Sequence, residues 1–369
     1  MNANILNMKP SGIRRFTALA RATPGCKMLT IGEPDFDTPE PIRAAAAQAM
    51  ADGLTHYAPN KGTDSLRKAI ADYETKRGMA CTTDNILVTV GATGALNTAL
   101  TGLLNPGDEV IIPSPYWVSY PSMVELCGGV PVLVETKAEN GWKITPEEFE
   151  NAMTPRTKMI ILTTPHNPTG TVYTEDELRA LGQIAVEEDI LIIADEIYEH
   201  INYVGKHESI AQFEEVREQV IIVNGVSKAY AMTGWRIGFI AGPEWLVKGV
   251  NKLQGQYTSG PCSVSQKAAE AAYTGTQAPV EEMRIAFERR RNLIVELAKE
   301  IPGFEVNTPQ GAFYLFPKCD SFFGKSTGER TIKDADDLAM YLLETAHVAC
   351  GGGTSFGAPE GIRMSYATS

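Results

Sequence analysis

A three-layer α/β domain on a mostly parallel sheet, with a smaller α+β domain beside it, is the fold class predicted for this 369-residue chain. Three observations predict it. Short unbroken apolar runs recur between residues 86 and 241 without clean alternation, which fits strands covered on both faces by crossover helices. Helical patterns fall between the runs, as in βαβ units. After residue 275 a long helix breaks that rhythm and shorter strands follow. A chain of this length can bury a large core and is expected to form two domains.

Residues 1–39 read as an N-terminal arm and part of the small domain, 40–275 as the large domain and 276–369 as the rest of the small one. In the arm, Ser11 to Ala20 forms a short helix behind Pro10, and Leu29 to Phe36 reads as a short strand running into a tight turn. Pro41 to Ala51 is alanine-rich and helical, closed by Asp52-Gly53. Asp64 to Arg77 is an amphipathic helix. Ile86 to Val90 is a strand, Gly91-Ala92-Thr93-Gly94 a turn, and Ala95 to Leu104 a helix. Val110 to Ile112, Met159 to Thr163, Ile190 to Ala194, Val220 to Val223 and Ile237 to Ala241 are further strands. Thr174 to Glu188 is a helix with a capping box available from Thr174 and Glu177. Pro279 to Glu300 is the long helix. Val306, Ala312 to Phe316 and Ile362 to Tyr366 supply shorter strands, and Lys333 to Thr345 another helix.

The chain carries 33 Lys+Arg against 45 Asp+Glu, a net charge of −12. That balance opposes non-specific binding to nucleic acid or an anionic membrane, while leaving room for a local basic pocket. No apolar run reaches transmembrane length. The six cysteines, Cys26, Cys81, Cys127, Cys262, Cys319 and Cys350, are scattered without a CxxC pair, and no secretory apolar segment opens the chain. Reduced thiols in a cytoplasmic protein are expected, each a small buried hydrophobe. Cys350, beside Gly351-Gly352-Gly353, is the one that an active-site loop could expose. The five histidines form no HExxH, and no metal site is expected.

Chemistry-bearing residues of an open α/β sheet collect at the carboxyl ends of its strands. Asp195 follows Ile190 to Ala194, and Asn167 follows Met159 to Leu162 by way of Pro165 and His166. Lys228 follows Val220 to Val223, and Gly91 to Gly94 follows Leu87-Val88. These four segments are expected to converge on one crevice. A lysine beside a buried strand end is unusual unless its amine is used. Desolvation or a nearby cation lowers its pKa enough for covalent chemistry with an aldehyde. Ser227, Arg236 and the small residues between can hold a phosphate near that amine. Each piece also has a plainer reading: Asp195 as a cap, Asn167-Pro168-Thr169-Gly170 as a tight turn, Gly91 to Gly94 as a helix start, Lys228 and Arg236 as solvated cations. The combination is far more specific than any part.

The segments IGEPDFDTPE, HYAPNKGTDSLRKAI, SPYWVSYP, PHNPTG, ADEIYEH, VSKAYAMTGWRIGF and IRMSYATS extend this pattern over nearly the whole chain. In them the sequence resembles the class I/II aminotransferases of fold type I, which depend on pyridoxal 5'-phosphate, and it is similar to the branch with bacterial aspartate and aromatic aminotransferases. The resemblance implies that Lys228 carries the cofactor as an internal aldimine and, once displaced by an L-amino acid, moves a proton between the substrate Cα and the cofactor. A keto acid leaves, pyridoxamine phosphate remains, and a second 2-keto acid reverses the steps in a ping-pong transamination.

By the same resemblance, Asp195 pairs with the pyridine nitrogen and keeps the ring protonated. Asn167 and Tyr198 hydrogen-bond the ring's phenolic oxygen, and Trp117 stacks on the ring. Ala92 and Thr93 bind the phosphate at a helix N-terminus, and Ser227 and Arg236 complete the cup. Tyr57 reaches the phosphate from the partner subunit, which implies a homodimer with shared active sites. Arg363 grips the substrate α-carboxylate with its guanidinium fork, Asn167 assists, and Gly32 is the close-approach backbone beside the substrate. Movement of the small domain closes the site.

Two departures from the family pattern stand out. The family continues with a helix after its YATS segment, whereas this sequence stops at Ser369; a missing terminal segment and a shortened small domain both fit. The stretch Val348 to Gly357 is glycine-rich, which implies a more mobile loop ahead of Arg363. The substrate range spans aspartate-, aromatic- and alanine-like amino acids. An acidic side chain needs a second cation, from Arg14, Arg15 or the other subunit. An aromatic one needs an apolar wall, for which Phe16, Ile31, Tyr120 and Phe356 qualify. A C–S β-lyase on the same fold and a non-catalytic regulatory protein are the alternatives. The presence of both Lys228 and Asp195 argues against the second.

Overall fold

The computed structural model describes residue 5, residues 12–328 and residues 330–368, and for residues 12–15 the backbone only. Arg14 and Arg15 thus lie outside the described side chains. A helix at Gly12–Ala22 precedes β1 (Lys27–Met28). Next come β2 (Ile86–Val90), β3 (Glu109–Ser114), β4 (Val130–Glu135), β5 (Thr157–Thr163), β6 (Leu191–Asp195), β7 (Val220–Gly225) and β8 (Ile237–Ala241). These seven form one sheet in the order β2-β8-β7-β6-β5-β3-β4. The pairs among β3, β4, β5, β6 and β7 are parallel, and β8 runs antiparallel to both its neighbours.

The apolar runs are continuous because both faces are covered. Ile86, Val88, Ile160, Leu162, Ile192, Val220 and Ile222 point into one core, with Ile42, Leu66, Ile70, Leu181 and Ala269 of the helices Glu40–Ala51, Asp64–Lys76, Glu175–Glu187 and Ser263–Thr274. Leu87, Met159, Ile161, Ile193, Ile221 and Val223 point into the other, with Leu96, Val124 and Val247 of the helices Gly91–Leu103, Tyr120–Leu126 and Glu244–Tyr257. Successive residues alternate between two dry interfaces, the period-2 signature of a three-layer sandwich. Thr174 and Glu177 form the expected capping box.

A second, smaller α+β region has its own core, built from Phe16, Phe287, Phe313, Leu315, Leu338, Ile362 and Met364. Its strands are β9 (Tyr314–Leu315), β10 (Val348–Ala349), β11 (Gly351–Gly352) and β12 (Ile362–Ser365), and its helices include Ala278–Lys299 and Ala335–Ala346. β12 lies between β11 and β9, antiparallel to both, and β1 pairs in parallel with β10. Ile197, Tyr198 and Ile201, which follow β6, are part of this core. The end of the large sheet and the smaller region therefore share side chains where the crevice lies.

Several elements differ from expectation. Leu29 to Phe36 is not a strand; only Lys27–Met28 is. The carbonyls of Thr30 and Gly32 accept from the Arg363 and Lys228 side chains instead of a ladder partner. Gly91 to Gly94 is the first turn of the helix Gly91–Leu103 and not a separate turn. Val306 lies outside any strand. The strand β4 was not expected: Pro131 weakens its signal, and its place at the sheet edge tolerates that residue.

Candidate active site

The segments after β2, β5, β6 and β7 do converge. One cavity of about 1140 Å³ is lined by Ala92, Thr93, Asn167, Asp195, Tyr198, Ser227, Lys228 and Arg236 from the large sheet's side. Gly32, Trp117 and Arg363 join them from the arm, from the loop after β3 and from β12. Of the expected site residues only Tyr57 stands apart, 96% exposed on the protein surface.

Lys228 is enclosed. Its Nζ donates to the carbonyl oxygen of Gly32 at 2.7 Å and lies 5.9 Å from the centre of the Tyr198 ring. Burial pushes its pKa down from 10.5 to about 8; Glu33 and Asp195 oppose the shift, and the Arg363 and Arg236 cations reinforce it. Asp195 ends β6 with its Oδ2 accepting a 2.6 Å hydrogen bond from Tyr120, while its Oδ1 accepts from the Ile197 N–H. Burial raises its carboxyl to about 6, and those two bonds hold it from rising further. Tyr120, expected as an apolar wall, does line the cavity, but its hydroxyl is committed to Asp195 and to Thr163 Oγ1 at 2.8 Å.

Arg363 is buried between two rings, 4.5 Å from the centre of Tyr314 and 4.7 Å from that of Phe356. Its Nη1 donates to Asn167 Oδ1 at 3.0 Å and its Nη2 to the Thr30 carbonyl at 2.6 Å. Its Nε is buried without a partner. Burial lowers its pKa, while Tyr314 and Tyr198 favour the charged form. Tyr198 and Tyr314 meet hydroxyl to hydroxyl at 2.8 Å. Gly32 is required by close approach: a Cβ there would lie 1.8 Å from Tyr314 Oη.

Arg236 adopts the left-handed conformation, φ 56°, which turns its backbone toward the start of the helix Gly91–Leu103. Its carbonyl accepts from the Gly91 N–H at 3.0 Å, and its Nη1 donates to the Thr233 carbonyl at 2.9 Å. A Cβ at Gly91 would lie 2.5 Å from Arg236 Nη2, so the guanidinium rests against the first turn of the helix. The N–H groups of that turn beyond Gly91 have no intrahelical acceptor, an arrangement that with Arg236 and Ser227 lining the same cavity suits an anion.

Tyr314 and Thr30 escaped the sequence reading, because their roles rest on contacts across the small region rather than on any local motif. Of the proposed apolar wall, Ile31 and Tyr120 line the cavity; Phe16 and Phe356 are buried off it, Phe356 packing beneath Arg363. Cys350 is buried, and burial pushes its thiol up to about 12, so no loop exposes it. The expectation of buried thiols holds for Cys319 and Cys350 alone: Cys26, Cys81 and Cys127 are half-buried, and Cys262 is exposed before the helix Ser263–Thr274, where the Ser265 N–H lowers its pKa. The glycine-rich stretch has a packing reason. A Cβ at Gly352 would meet Asp336 Oδ1 at 1.7 Å, and one at Gly353 the Ala358 carbonyl oxygen at 2.0 Å.

Behind the cavity lies a buried charge cluster that the histidine spacing did not show. Glu196, Glu199 and His207 place ligand-type atoms within 4.8 Å of one another. The cluster holds an internal cation: Arg77 binds Glu196, Glu199 at 2.7 Å and Glu74 at 2.9 Å. Arg77 and His207 hold the Glu196 carboxyl down to about 2 against burial, while burial lifts that of Glu74 to about 8. Among the described residues no helix is long and apolar enough to cross a membrane.

The donor set can be tested against a phosphorylated aldehyde. Three cations, Lys228, Arg236 and Arg363, line one cavity with one buried carboxylate, Asp195, and Arg363 keeps an unpartnered buried N–H. A helix start and Arg236 suit a phosphate, a depressed amine suits an aldehyde, and a second guanidinium suits a carboxylate. The residues fit.

A large, mostly parallel sheet with an α+β region closing on its strand ends is the architecture of fold type I pyridoxal-phosphate enzymes. The family described as aminotransferase class I and II matches residues 26–369. The chain is 49% identical over 344 residues to the aspartate aminotransferase of Geobacillus stearothermophilus, covering 92% of this chain and 86% of the relative. It is 43% identical to the aspartate/prephenate aminotransferase of Cereibacter sphaeroides, covering 100% and 94%. Among solved structures, the aspartate aminotransferase of Rhizobium meliloti superposes with a TM-score of 0.97 at 41% identity over 100% of this chain and 94% of that one. That of Thermus thermophilus with maleate gives 0.94 at 41% identity, over 100% and 95%. The chain belongs to the class I and II aminotransferase family. It is a pyridoxal-phosphate-dependent aminotransferase, and membership implies that cofactor and 2-keto acid co-substrates.

Proposed function

We propose that this enzyme transfers the amino group of L-aspartate to a 2-keto acid, with Lys228 as the cofactor-binding and proton-transferring residue. The observation that carries the reading is the single cavity in which a buried, depressed amine, a buried carboxylate and a buried guanidinium face one another. Aspartate is favoured by the names of relatives at 48 and 49% identity, and by maleate, a four-carbon dicarboxylate, in the Thermus structure. When bound, pyridoxal phosphate supplies an electrophilic aldehyde and an electron-withdrawing ring.

The chain's own residues do the rest. Lys228 Nζ, neutral in an appreciable fraction near pH 8, would hold the aldehyde and would serve to move a proton at the substrate Cα. Asp195, oriented by Tyr120, would pair with the ring nitrogen, and a cationic N–H there would favour its ionised form. Tyr198 and Asn167 would hydrogen-bond the ring oxygen, and Trp117 would cover the ring face. Ala92, Thr93, Ser227 and Arg236 would hold the phosphate. Arg363, fixed by Asn167 and Thr30, takes the α-carboxylate, with Gly32 alongside.

In this reading the exposed Tyr57 belongs to the partner subunit's site, and the working unit is a homodimer. The domain limits fall at residues 39/40 and 275/276, and closure of the small domain excludes water. The test uses the cofactor-loaded enzyme. Borohydride reduction and peptide mapping place the adduct on Lys228. Aspartate alone converts the absorbance to the pyridoxamine form and stops until a 2-keto acid is added. An adduct elsewhere, or steady ammonia release without a keto acid, overturns the proposal; the second outcome indicates a β-lyase.

A further inference from the structure

Tyr314 is on the cavity wall but has no part in the chemistry described so far. It lies on β9, paired in register with Ser365 of β12, the strand that carries Arg363. Its ring is buried, held edge-on against Tyr198 at 5.7 Å, and covered by the Arg363 guanidinium at 4.5 Å. Its hydroxyl reaches over Gly32 to that of Tyr198, 2.8 Å away.

Two phenols sharing one contact need one donor and one acceptor. In the reading above Tyr198 gives its one proton to the ring oxygen of the bound cofactor. The 2.8 Å contact is then made by the Tyr314 proton, so Tyr314 is the donor. Its donation leaves the Tyr198 proton free to point into the cavity and polarises it.

We infer that Tyr314 is a positioning residue: by donating to Tyr198 it fixes and strengthens that hydroxyl as a donor to the ring oxygen of the bound cofactor. The inference rests on the contact proposed above between Tyr198 and that oxygen. Its consequence is a lower pH for the protonation of the lysine-bound cofactor, because a stronger donor favours the ionised oxygen.

The experiment is a pH titration of absorbance on the cofactor-loaded enzyme as wild type, Tyr314→Phe, Tyr198→Phe and the double variant. Phenylalanine keeps the ring beneath Arg363 and removes only the hydroxyl. Tyr198→Phe raises the midpoint by about one pH unit, as loss of a hydrogen bond to an ionised group does. Tyr314→Phe raises it by about half a unit, through weaker polarisation of the neighbouring bond. The double variant matches Tyr198→Phe alone, since Tyr314 acts through Tyr198. A shift in Tyr198→Phe with none in Tyr314→Phe, or shifts that add in the double variant, overturns the inference and leaves the functional reading standing. No shift in Tyr198→Phe overturns the reading and the inference with it.

Discussion

The depressed amine of Lys228 predicts how the apoenzyme reacts. With its pKa lowered from 10.5 to about 8, the neutral, nucleophilic fraction at pH 7 is about 300-fold larger than for a free lysine. Timed labelling with an amine-selective reagent, followed by peptide mapping, reads that fraction directly. The Lys228 rate should rise with pH to a midpoint near 8. Because the Arg363 and Arg236 cations depress the amine, Arg363→Met or Arg236→Met moves the midpoint upward; Asp195→Asn, which removes a stabilising carboxylate, moves it downward. The same shift links to stability. Between pH 8 and 10.5 the folded apoenzyme holds one proton fewer than the unfolded chain, so this residue's contribution rises by about 3 kcal/mol across that window. Wild type compared with Lys228→Met isolates it. A labelling midpoint at or above 10, or a downward movement in Arg363→Met, refutes the burial argument.

Two further perturbations probe the surroundings. Arg77→Met leaves the buried Glu196 and Glu199 without their cation, which costs about 3–5 kcal/mol. With an unfolding entropy of ~0.8 kcal/mol/K for a chain of this size, the melting temperature falls by about 4–6 °C at pH 7. In the wild type Glu196 has a depressed pKa, so its contribution is present above the unfolded value of 4.5 and is lost as pH falls toward 2. The variant's deficit therefore narrows from pH 7 to pH 5 as the orphaned carboxylates take up protons; a constant deficit would count against the pairing. Gly32→Ala places a methyl against Tyr314 Oη, with an overpacking cost of about 1–3 kcal/mol. Thermal unfolding should show that loss, and Tyr314→Phe in the same chain should recover part of it.

The strand and helix pattern of the large domain was legible because each element carries its own signal. β6 and β7 are unbroken apolar runs since both faces are covered, and Thr174 with Glu177 marks a helix start within four residues. Leu29 to Phe36 misled for the opposite reason. Its composition suits a strand, but its carbonyls serve side chains 333 and 196 residues away. Local pattern carries no record of such partners. Val348 to Gly357 shows the same limit: glycine there reads as mobility, whereas the packed neighbours Asp336 and Ala358 leave no room for a Cβ.

By itself the sequence determined which residue types stand at the strand ends, and hence the family and the chemistry available to Lys228, Asp195 and Arg363. Order along the chain suffices for that, because strand ends in a parallel sheet fall on one side. Tertiary structure alone decided how those groups are tuned. It turned Tyr120 toward Asp195, set Tyr314 between Tyr198 and Arg363, and enclosed the Lys228 amine. Burial and through-space charge set those properties, and both depend on which distant segments the fold brings together.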